Sequence, residues 1–163
     1  MSAGCADGRE AYSVAVTGLE RGLDVRVEGV DVDPRAIQTS RRGRYEDVDV
    51  ERIESMSYVD EADRYVEETD DGYEVTDVLR AVTSFHRSDV MEAMESLRFD
   101  LVLCRNLLIY VDVDRKRGFL DKLRDLVAAG GLLVLGKTER LPRDMEDDLE
   151  VVDRSNRVYR RRR

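Results

Sequence analysis

Apolar segments of two different periods alternate along this 163-residue chain, and that alternation most constrains its fold. Phe99–Cys104 and Leu132–Leu135 are short apolar runs, which is typical of strands in the buried middle of a parallel sheet. Between them, Asp114–Val127 places apolar residues at the i, i+3, i+4 spacing of an amphipathic helix. Strands that alternate with helices predict an α/β fold with right-handed crossovers between parallel strands.

The amino-terminal part of the chain repeats this alternation. Arg9–Val16 opens a predicted helix with Ala11, Val14, Ala15 and Leu19 on one face, and Val25–Val30 alternates apolar and polar residues as a strand does. A helix is predicted over Pro34–Arg42, with Asp33 as its cap and Gly43 as its end. A ligand crevice is expected where the parallel strands end at their carboxyl sides.

Two predicted hairpins complete the fold. Asp71-Gly72 within Tyr65–Val75 indicates a tight turn, in a small β-subdomain at about residues 60–86. Leu149–Asp153 and Arg157–Tyr159 indicate an antiparallel hairpin at the carboxyl end. A terminal hairpin favours the methyltransferase form of a Rossmann-like sheet over the dehydrogenase form. We therefore predict one α/β domain over residues 1–163.

The charge of the chain is high and unevenly composed. There are 36 acidic and 27 basic residues, a net charge of −9, and only 3 of the basic residues are lysine. An acidic, lysine-poor surface stays hydrated in concentrated salt, so we expect a halophilic source. An ordinary acidic protein from a GC-rich genome is the alternative. Nucleic acid is disfavoured as a partner because its phosphates would repel this charge.

The chain lacks the residue patterns that metal sites, catalytic triads and membrane spans require. Cys5, Cys104 and His86 have no metal-ligand spacing, so neither a zinc site nor a Ser-His-Asp triad is predicted. The longest run without a polar side chain is Leu126–Gly136, well short of the ~18–20 residues of a membrane span. No signal peptide is recognised, so we expect a reducing, cytoplasmic location and free thiols. We also expect a monomer with no membrane insertion.

Polar residues at predicted strand ends are the candidate ligand contacts. Asp31 ends the strand after the first helix, where a carboxylate can hold a pair of ribose hydroxyls. Asp89 and Asn106 follow later strands and are expected at the same crevice, although turns alone would explain either residue. Tyr110 closes the Arg-Asn segment that follows a buried strand. A nicotinamide dehydrogenase is an alternative, but the loop around Gly4 lacks the GxGxxG pattern.

Five segments in order resemble the motifs of the CheR-type chemotaxis receptor methyltransferases. They are Ser2–Ser13, Val30–Asp33, Phe85–Val90, Phe99–Tyr110 and Ala129–Glu139. The fourth is the most specific, since its Cys-Arg-Asn-Leu-Leu-Ile-Tyr run matches the family signature nearly residue for residue. The resemblance covers most of the chain.

The resemblance implies roles for residues at matching positions. Cofactor contacts would come from Ala3, Gly4, Glu10, Asp31, Asp89, Val90, Asn106 and Leu107. Among these, Asp31 would hold the ribose, Asp89 and Val90 would flank the adenine, and Asn106 and Leu107 would lie near the methionine part. Tyr110 would lie beside the transferred methyl group as the catalytic residue, and Arg105 would contact substrate. No metal is implied.

The implied function is methylation of glutamate carboxylates on the cytoplasmic helices of chemotaxis receptors, with S-adenosylmethionine (SAM) as the methyl donor. The small β-subdomain would grip a receptor tail peptide, as in some family members. The family has a helical amino-terminal domain and a first core strand ahead of the first motif, and this chain is expected to lack both. A truncated, non-catalytic module that binds cofactor or peptide is therefore the alternative function.

Overall fold

The computed structural model describes residues 1–46, 64–92 and 97–163. They fall into two compact units, unit 1 (Met1–Gly4 with Asp89–Arg163) and unit 2 (Cys5–Ser88). Each unit combines helices with a parallel strand pair, and the predicted α/β class is confirmed.

Ten strands and four helices follow one another along the described residues. The strands are β1 (Ser2–Ala3), β2 (Val27–Asp31), β3 (Arg44–Glu46), β4 (Val66–Thr69), β5 (Gly72–Val75), β6 (Thr83–Arg87), β7 (Phe99–Cys104), β8 (Val127–Leu135), β9 (Leu149–Asp153) and β10 (Val158–Arg161). The helices are α1 (Arg9–Glu20), α2 (Pro34–Arg42), α3 (Asp77–Val82) and α4 (Val113–Leu126), with 3-10 turns at Leu108–Tyr110 and Arg143–Met145.

Within unit 1 the strands lie in the order β1–β7–β8–β10–β9. The β1–β7 and β7–β8 pairs are parallel, and the two pairs made by β10 are antiparallel. Val102 and Leu133 face each other in the β7–β8 ladder, and both are fully buried. The two apolar runs therefore lie in the middle of the sheet, as the sequence predicts, and the carboxyl-terminal hairpin is also confirmed.

The chain start forms a short strand that the sequence patterns did not predict. Ser2 pairs with Leu103 of β7, and the Met1 nitrogen donates to the Leu101 carbonyl at 2.7 Å. The Leu103 N–H in turn donates to the Met1 carbonyl at 2.9 Å. Ser2–Ala3, at the start of the first motif, therefore satisfies part of the β7 edge.

The crossover from α4 to β8 differs from the prediction. The helix ends at Leu126, and β8 begins immediately at Val127, so the strand includes Gly130 and Gly131 and starts ahead of the predicted Leu132. Arg161 explains the early end, because its Nη1 donates to the carbonyls of Arg124, Asp125 and Val127 at 3.1, 3.3 and 2.6 Å. Two of these carbonyls, those of Arg124 and Asp125, belong to the last turn of the helix, where carbonyls lack the donor four residues on. Arg161 lies 34 residues beyond Val127 in the sequence, so helical periodicity could not reveal this contact.

Charged side chains pair extensively along α4. Arg124 Nη1 lies 3.0 Å from Asp121 and 3.2 Å from Asp148, and Arg117 pairs with Asp121 and Asp144. The Arg117 guanidinium lowers the pKa of the Asp144 carboxyl from its ordinary value. Part of the chain's high content of charged residues therefore forms arginine–aspartate ion pairs on and beside this helix.

Unit 2 contains the parallel pair β2–β6, with Gly29 opposite Phe85. The predicted helix α2 is confirmed from Pro34 to Arg42; the Asp33 carboxylate accepts from the Arg35 N–H at 2.8 Å, and Gly43 ends the helix with φ +61°. Helix α1 buries Ala11 and Ala15 as predicted, but its buried face also includes two residues that were not predicted there. Tyr12 and Val16 lie in the core, where the Tyr12 ring meets Phe85 edge to face at 5.2 Å. Val14 and Leu19, predicted on the buried face, are only partly buried.

A separate antiparallel sheet in unit 2 has the strand order β3–β5–β4. Its β4–β5 hairpin is the one predicted at Asp71-Gly72, while residues 60–63 of the predicted subdomain lie outside the described residues. The six-residue helix α3 was not predicted, because its single fully buried residue, Leu79, gives too little periodicity to detect.

Gly72 is the residue of this hairpin that is most sensitive to substitution. Its φ of +143° disfavours any side chain, and a Cβ there would collide with the Tyr45 carbonyl oxygen. We expect Gly72→Ala to lower the free energy of unfolding by at least about 2 kcal/mol. In contrast, Gly118→Ala in α4, where a Cβ meets nothing, should raise it by about 0.5–1 kcal/mol. Urea unfolding of both variants measures the two effects, and equal stabilities would contradict the prediction.

Candidate functional site

In unit 2, Asp31 joins the end of β2 to the loop before α1. Its Oδ2 accepts from the Ala6 N–H and its Oδ1 from the Asp33 N–H, both at 2.9 Å. The Cys5 N–H donates to the Val30 carbonyl at 3.0 Å, which fixes the start of the same loop. Asp31 is half-buried, so part of its carboxylate remains exposed to solvent.

Further hydrogen bonds fasten this loop, Cys5–Gly8, from its other side. Ser40 Oγ lies 3.2 Å from the Ala6 carbonyl oxygen, and the Tyr45 hydroxyl donates to the Asp7 carbonyl at 2.7 Å. Gly8 has φ +89°, and a Cβ on it would lie 2.7 Å from the Ser40 Cβ. Packing within unit 2 therefore accounts for Gly8. Glu10 is half-buried in the first turn of α1, just beyond this loop.

Cys5 lies in the same loop and is 3% exposed. Burial, followed by the negative charge of Asp31, raises the pKa of its thiol from 9.0 to about 12. The nucleophilic form of cysteine is the thiolate, so Cys5 is inert near neutral pH. Its role in the fold is to fill core space beside Phe85 and Gly29.

Cys5 should resist thiol reagents in the folded chain. At about pH 8 we expect no labelling of Cys5 by Ellman's reagent while the chain is folded, since only the thiolate reacts. In urea, the same residue should react completely. Peptide mapping after labelling separates Cys5 from Cys104, and rapid modification of Cys5 in the native chain would contradict this prediction.

In unit 1, Asp89 forms a turn at the start of the segment Asp89–Arg163. Its Oδ1 accepts from the Met91 N–H at 2.8 Å, and its carbonyl accepts from the Glu92 N–H at 3.0 Å. Val90 is 5% exposed beside it. The turn explanation that the sequence left open for Asp89 is therefore present.

The loop that follows β7 presents the other predicted residues. Arg105 and Asn106 are exposed, Leu107 is half-buried, and Tyr110 exposes 81% of its surface. Asn106 has φ +59°, a left-handed conformation that asparagine tolerates better than most residues. The loop then turns through Leu108–Tyr110, which aims an exposed phenol away from the unit 1 core.

The first motif contributes Ala3 and Gly4 to unit 1. Ala3 is fully buried in β1, and Gly4 follows it with φ +71°. A Cβ on Gly4 would lie 2.9 Å from Leu107 Cδ2, so the absence of a side chain lets Leu107 pack directly on this backbone. The structure thus brings the first motif next to Leu107 of the fourth motif.

Glu139 also contacts this loop, and no sequence pattern assigned it a role. Its carboxylate is 5% exposed and accepts backbone N–H groups from Gly136, Asn106 and Leu108 at 2.6, 3.2 and 2.8 Å. The available signal was its position at the end of the fifth motif, but Asn106 and Glu139 are 33 residues apart in sequence. Only the fold brings them together.

Metal ligands and membrane spans are both missing from the part of the chain that the structure describes. No three His, Cys, Asp or Glu side chains in residues 1–46, 64–92 and 97–163 gather as metal ligands. Over those same residues, every helix is too short or too polar to cross a bilayer.

Comparison with known proteins gives a consistent result. The family described as "CheR methyltransferase, SAM binding domain" matches residues 1–158. A chemotaxis protein methyltransferase of Vibrio cholerae is 31% identical over 160 residues, which is 93% of this chain and 57% of that protein. One from Listeria innocua is 28% identical over 143 residues, 86% of this chain and 53% of that protein. The chain thus spans about half the length of these curated relatives.

Solved structures resemble the fold. The N-methyltransferase NodS of Bradyrhizobium japonicum aligns over 99% of this chain and 84% of its own, with a TM-score of 0.54 and 16% identity. The complex of DhpI with S-adenosylhomocysteine aligns over 99% of this chain and 57% of its own, with a TM-score of 0.51 and 15% identity. At such identities the likeness establishes the methyltransferase fold alone, and this agrees with the predicted fold class.

Proposed function

The chain belongs to the CheR methyltransferase family, and from this premise we propose that it methylates glutamate carboxylates of chemotaxis receptors. The family match runs through the SAM-binding domain, so S-adenosylmethionine is its cofactor. Because the chain spans about half of its curated relatives, the activity of the whole protein is part of the proposal. The observation that carries it is the family match over residues 1–158.

The chemistry of Asp31 fits the ribose of the cofactor. A carboxylate offers about four acceptor positions, and the Ala6 and Asp33 N–H groups use two of them. Two positions remain for a pair of ribose hydroxyls on a half-buried, solvent-accessible group. The hydrogen bonds to the loop also hold the carboxylate in one orientation before any ligand arrives.

The loop after β7 supports the remaining assignments. We assign Asn106 and Leu107 to the methionine part of the cofactor, Asp89 and Val90 to the adenine, and Ala3, Gly4 and Glu10 to supporting contacts. Contact between Gly4 and Leu107 supports placing the first and fourth motifs together. Arg105 is exposed one residue before Asn106, where a guanidinium can attract a carboxylate substrate.

The reaction needs little from the protein in the way of proton transfer. When bound, S-adenosylmethionine supplies an electrophilic methyl group on a sulfonium. A glutamate side chain is already anionic near neutral pH, so this chain needs no general base. The residues instead orient the attacking oxygen and exclude water from it, and the exposed Tyr110 hydroxyl is suited to orient it by donating a hydrogen bond.

Receptor binding is a further part of the proposal. We propose cytoplasmic helices of the receptors as the substrate, and the β3–β5–β4 sheet as the place that grips a tail peptide. An extended peptide can add to an outer strand of such an antiparallel sheet. The cleft beside this sheet is lined by Arg42 and Arg44 and also by Asp7, Glu46 and Asp71, so it offers polar groups of both charges to such a peptide.

Transfer of a labelled methyl group tests the function directly. The chain is mixed with methyl-tritiated S-adenosylmethionine and a receptor cytoplasmic fragment, and base-labile radioactivity on the fragment is counted. We expect labelling of the fragment but not of a fragment with glutamine at the methylated glutamates. Cofactor binding without transfer would instead favour the non-catalytic binding module.

A further inference from the structure

We propose that Glu139 is a positioning residue that fixes the loop Asn106–Tyr110 for cofactor and substrate. This inference rests on the proposed function of that loop. Glu139 Oε1 accepts the Leu108 N–H at 2.8 Å, while its Oε2 accepts the Asn106 N–H at 3.2 Å and the Gly136 N–H at 2.6 Å. One buried carboxylate therefore accepts two backbone N–H groups of the loop and a third, that of Gly136, from the turn that leads to Glu139 itself.

Burial makes these contacts consequential. Glu139 is one of three buried polar residues in the described chain, at 5% exposure, and an unpaired charge at such a site is costly. Hydrogen bonds to a charged group contribute more than those between neutral groups. The three N–H groups thus stabilise the carboxylate, and the carboxylate stabilises the loop conformation in return.

The surrounding backbone is shaped for this contact. Asn106 has φ +59°, a left-handed conformation that is uncommon outside glycine, and its N–H donates to Glu139 Oε2. A Cβ on Gly136 would lie 2.7 Å from Glu139 Oε2 and 2.7 Å from Asn106 Oδ1. The bare backbone at Gly136 therefore permits the close approach of the carboxylate to the Asn106 amide.

The two bonds from Glu139 to the loop after β7 also determine where the proposed contacts lie. Glu139 accepts the N–H groups of Asn106 and Leu108, so it holds the backbone on both sides of Leu107. Asn106 and Leu107 are the residues assigned to the methionine part. Tyr110 follows within the 3-10 turn that begins at Leu108. If the carboxylate is lost, we expect these side chains to move while the strands remain in place.

Glu139→Gln tests this role by replacing one acceptor oxygen with an NH₂ donor that opposes a backbone N–H. We expect S-adenosylhomocysteine to bind about tenfold more weakly or worse, as loss of a charged hydrogen bond implies. Adenosine, which lacks the methionine part, should bind within about twofold of its wild-type affinity. Calorimetry gives the first value and competition the second.

A matched control is Glu150→Gln, since Glu150 is exposed on β9 of the same unit. It should leave both affinities unchanged. Equal weakening of both ligands by Glu139→Gln would mean a general structural role, and no weakening would mean that the carboxylate positions nothing; either result overturns the inference. Absence of methyl transfer by wild-type chain, with the ligand-selective effect intact, would overturn the proposed function instead.

Hydrogen exchange on the wild-type chain decides the case if Glu139→Gln does not fold. We expect the Asn106 and Leu108 amides to exchange at least about 100-fold more slowly than in an unstructured peptide, because both are held by the carboxylate. Exchange of these two amides at the unstructured rate would overturn the inference.

Discussion

Asp31→Ala is expected to weaken binding of S-adenosylhomocysteine by at least about 100-fold, because two hydroxyl hydrogen bonds to a charged acceptor are lost. The variant also removes the acceptor of the Ala6 and Asp33 N–H groups, so the loop itself loosens. Calorimetric titration of the purified chain in concentrated salt measures the loss. Affinity equal to that of the wild type would contradict the ribose assignment.

A modified ligand separates the direct contact from the loop effect. The 2′-deoxy form of S-adenosylhomocysteine should bind the wild-type chain about tenfold more weakly, and Asp31→Ala should show a smaller loss with it than with the unmodified ligand. Asp33→Ala is the matched control, since its carboxylate caps α2 through the Arg35 N–H. That variant should lose about 1 kcal/mol of stability and keep its affinity.

Tyr110→Phe should lower turnover by about tenfold or more while cofactor affinity stays unchanged, because it removes only a hydroxyl that orients the attacking oxygen. Tyr110 exposes 81% of its surface, so the substitution costs the fold little. The measurement is the initial rate of methyl transfer at saturating cofactor. Unchanged turnover would show that the hydroxyl takes no part in the reaction.

Tyr65→Phe provides the corresponding control. The Tyr65 hydroxyl donates to Glu20 Oε1 at 2.7 Å inside unit 2, so its loss should reduce stability by about 1 kcal/mol and leave turnover unchanged. A fall in turnover in both variants would point to general destabilisation rather than to a role of Tyr110 in orienting substrate.

Local sequence signals predicted those elements whose causes are local. Helix α2 carries its own start and end, Asp33 and Gly43, and both act as predicted. The β4–β5 hairpin likewise follows from the Asp-Gly turn between two strand-forming runs. The apolar runs in β7 and β8 were assigned to the sheet interior because a strand that is apolar on both faces is stable only when both are covered.

Elements that depend on distant residues were missed or misplaced. Helix α4 ends where Arg161 binds its carbonyls, and Ser2–Ala3 forms a strand only because β7 lies beside it. The position of Asp31 at a strand end was predicted, but its two bonds to backbone N–H groups were not. Such contacts join residues that no spacing rule connects.

The sequence by itself determined the α/β class, the family and the residues at the motif positions, because strand and helix periods and the Cys-Arg-Asn-Leu-Leu-Ile-Tyr run are local properties. Only the tertiary structure decided which groups hold those residues in place. Glu139 reaches Asn106 and Leu108 across the loop, and Leu107 packs on Gly4, since folding brings together backbone that is far apart in the sequence. A buried carboxylate must find its partners wherever the fold supplies N–H groups, and composition does not tell where that is.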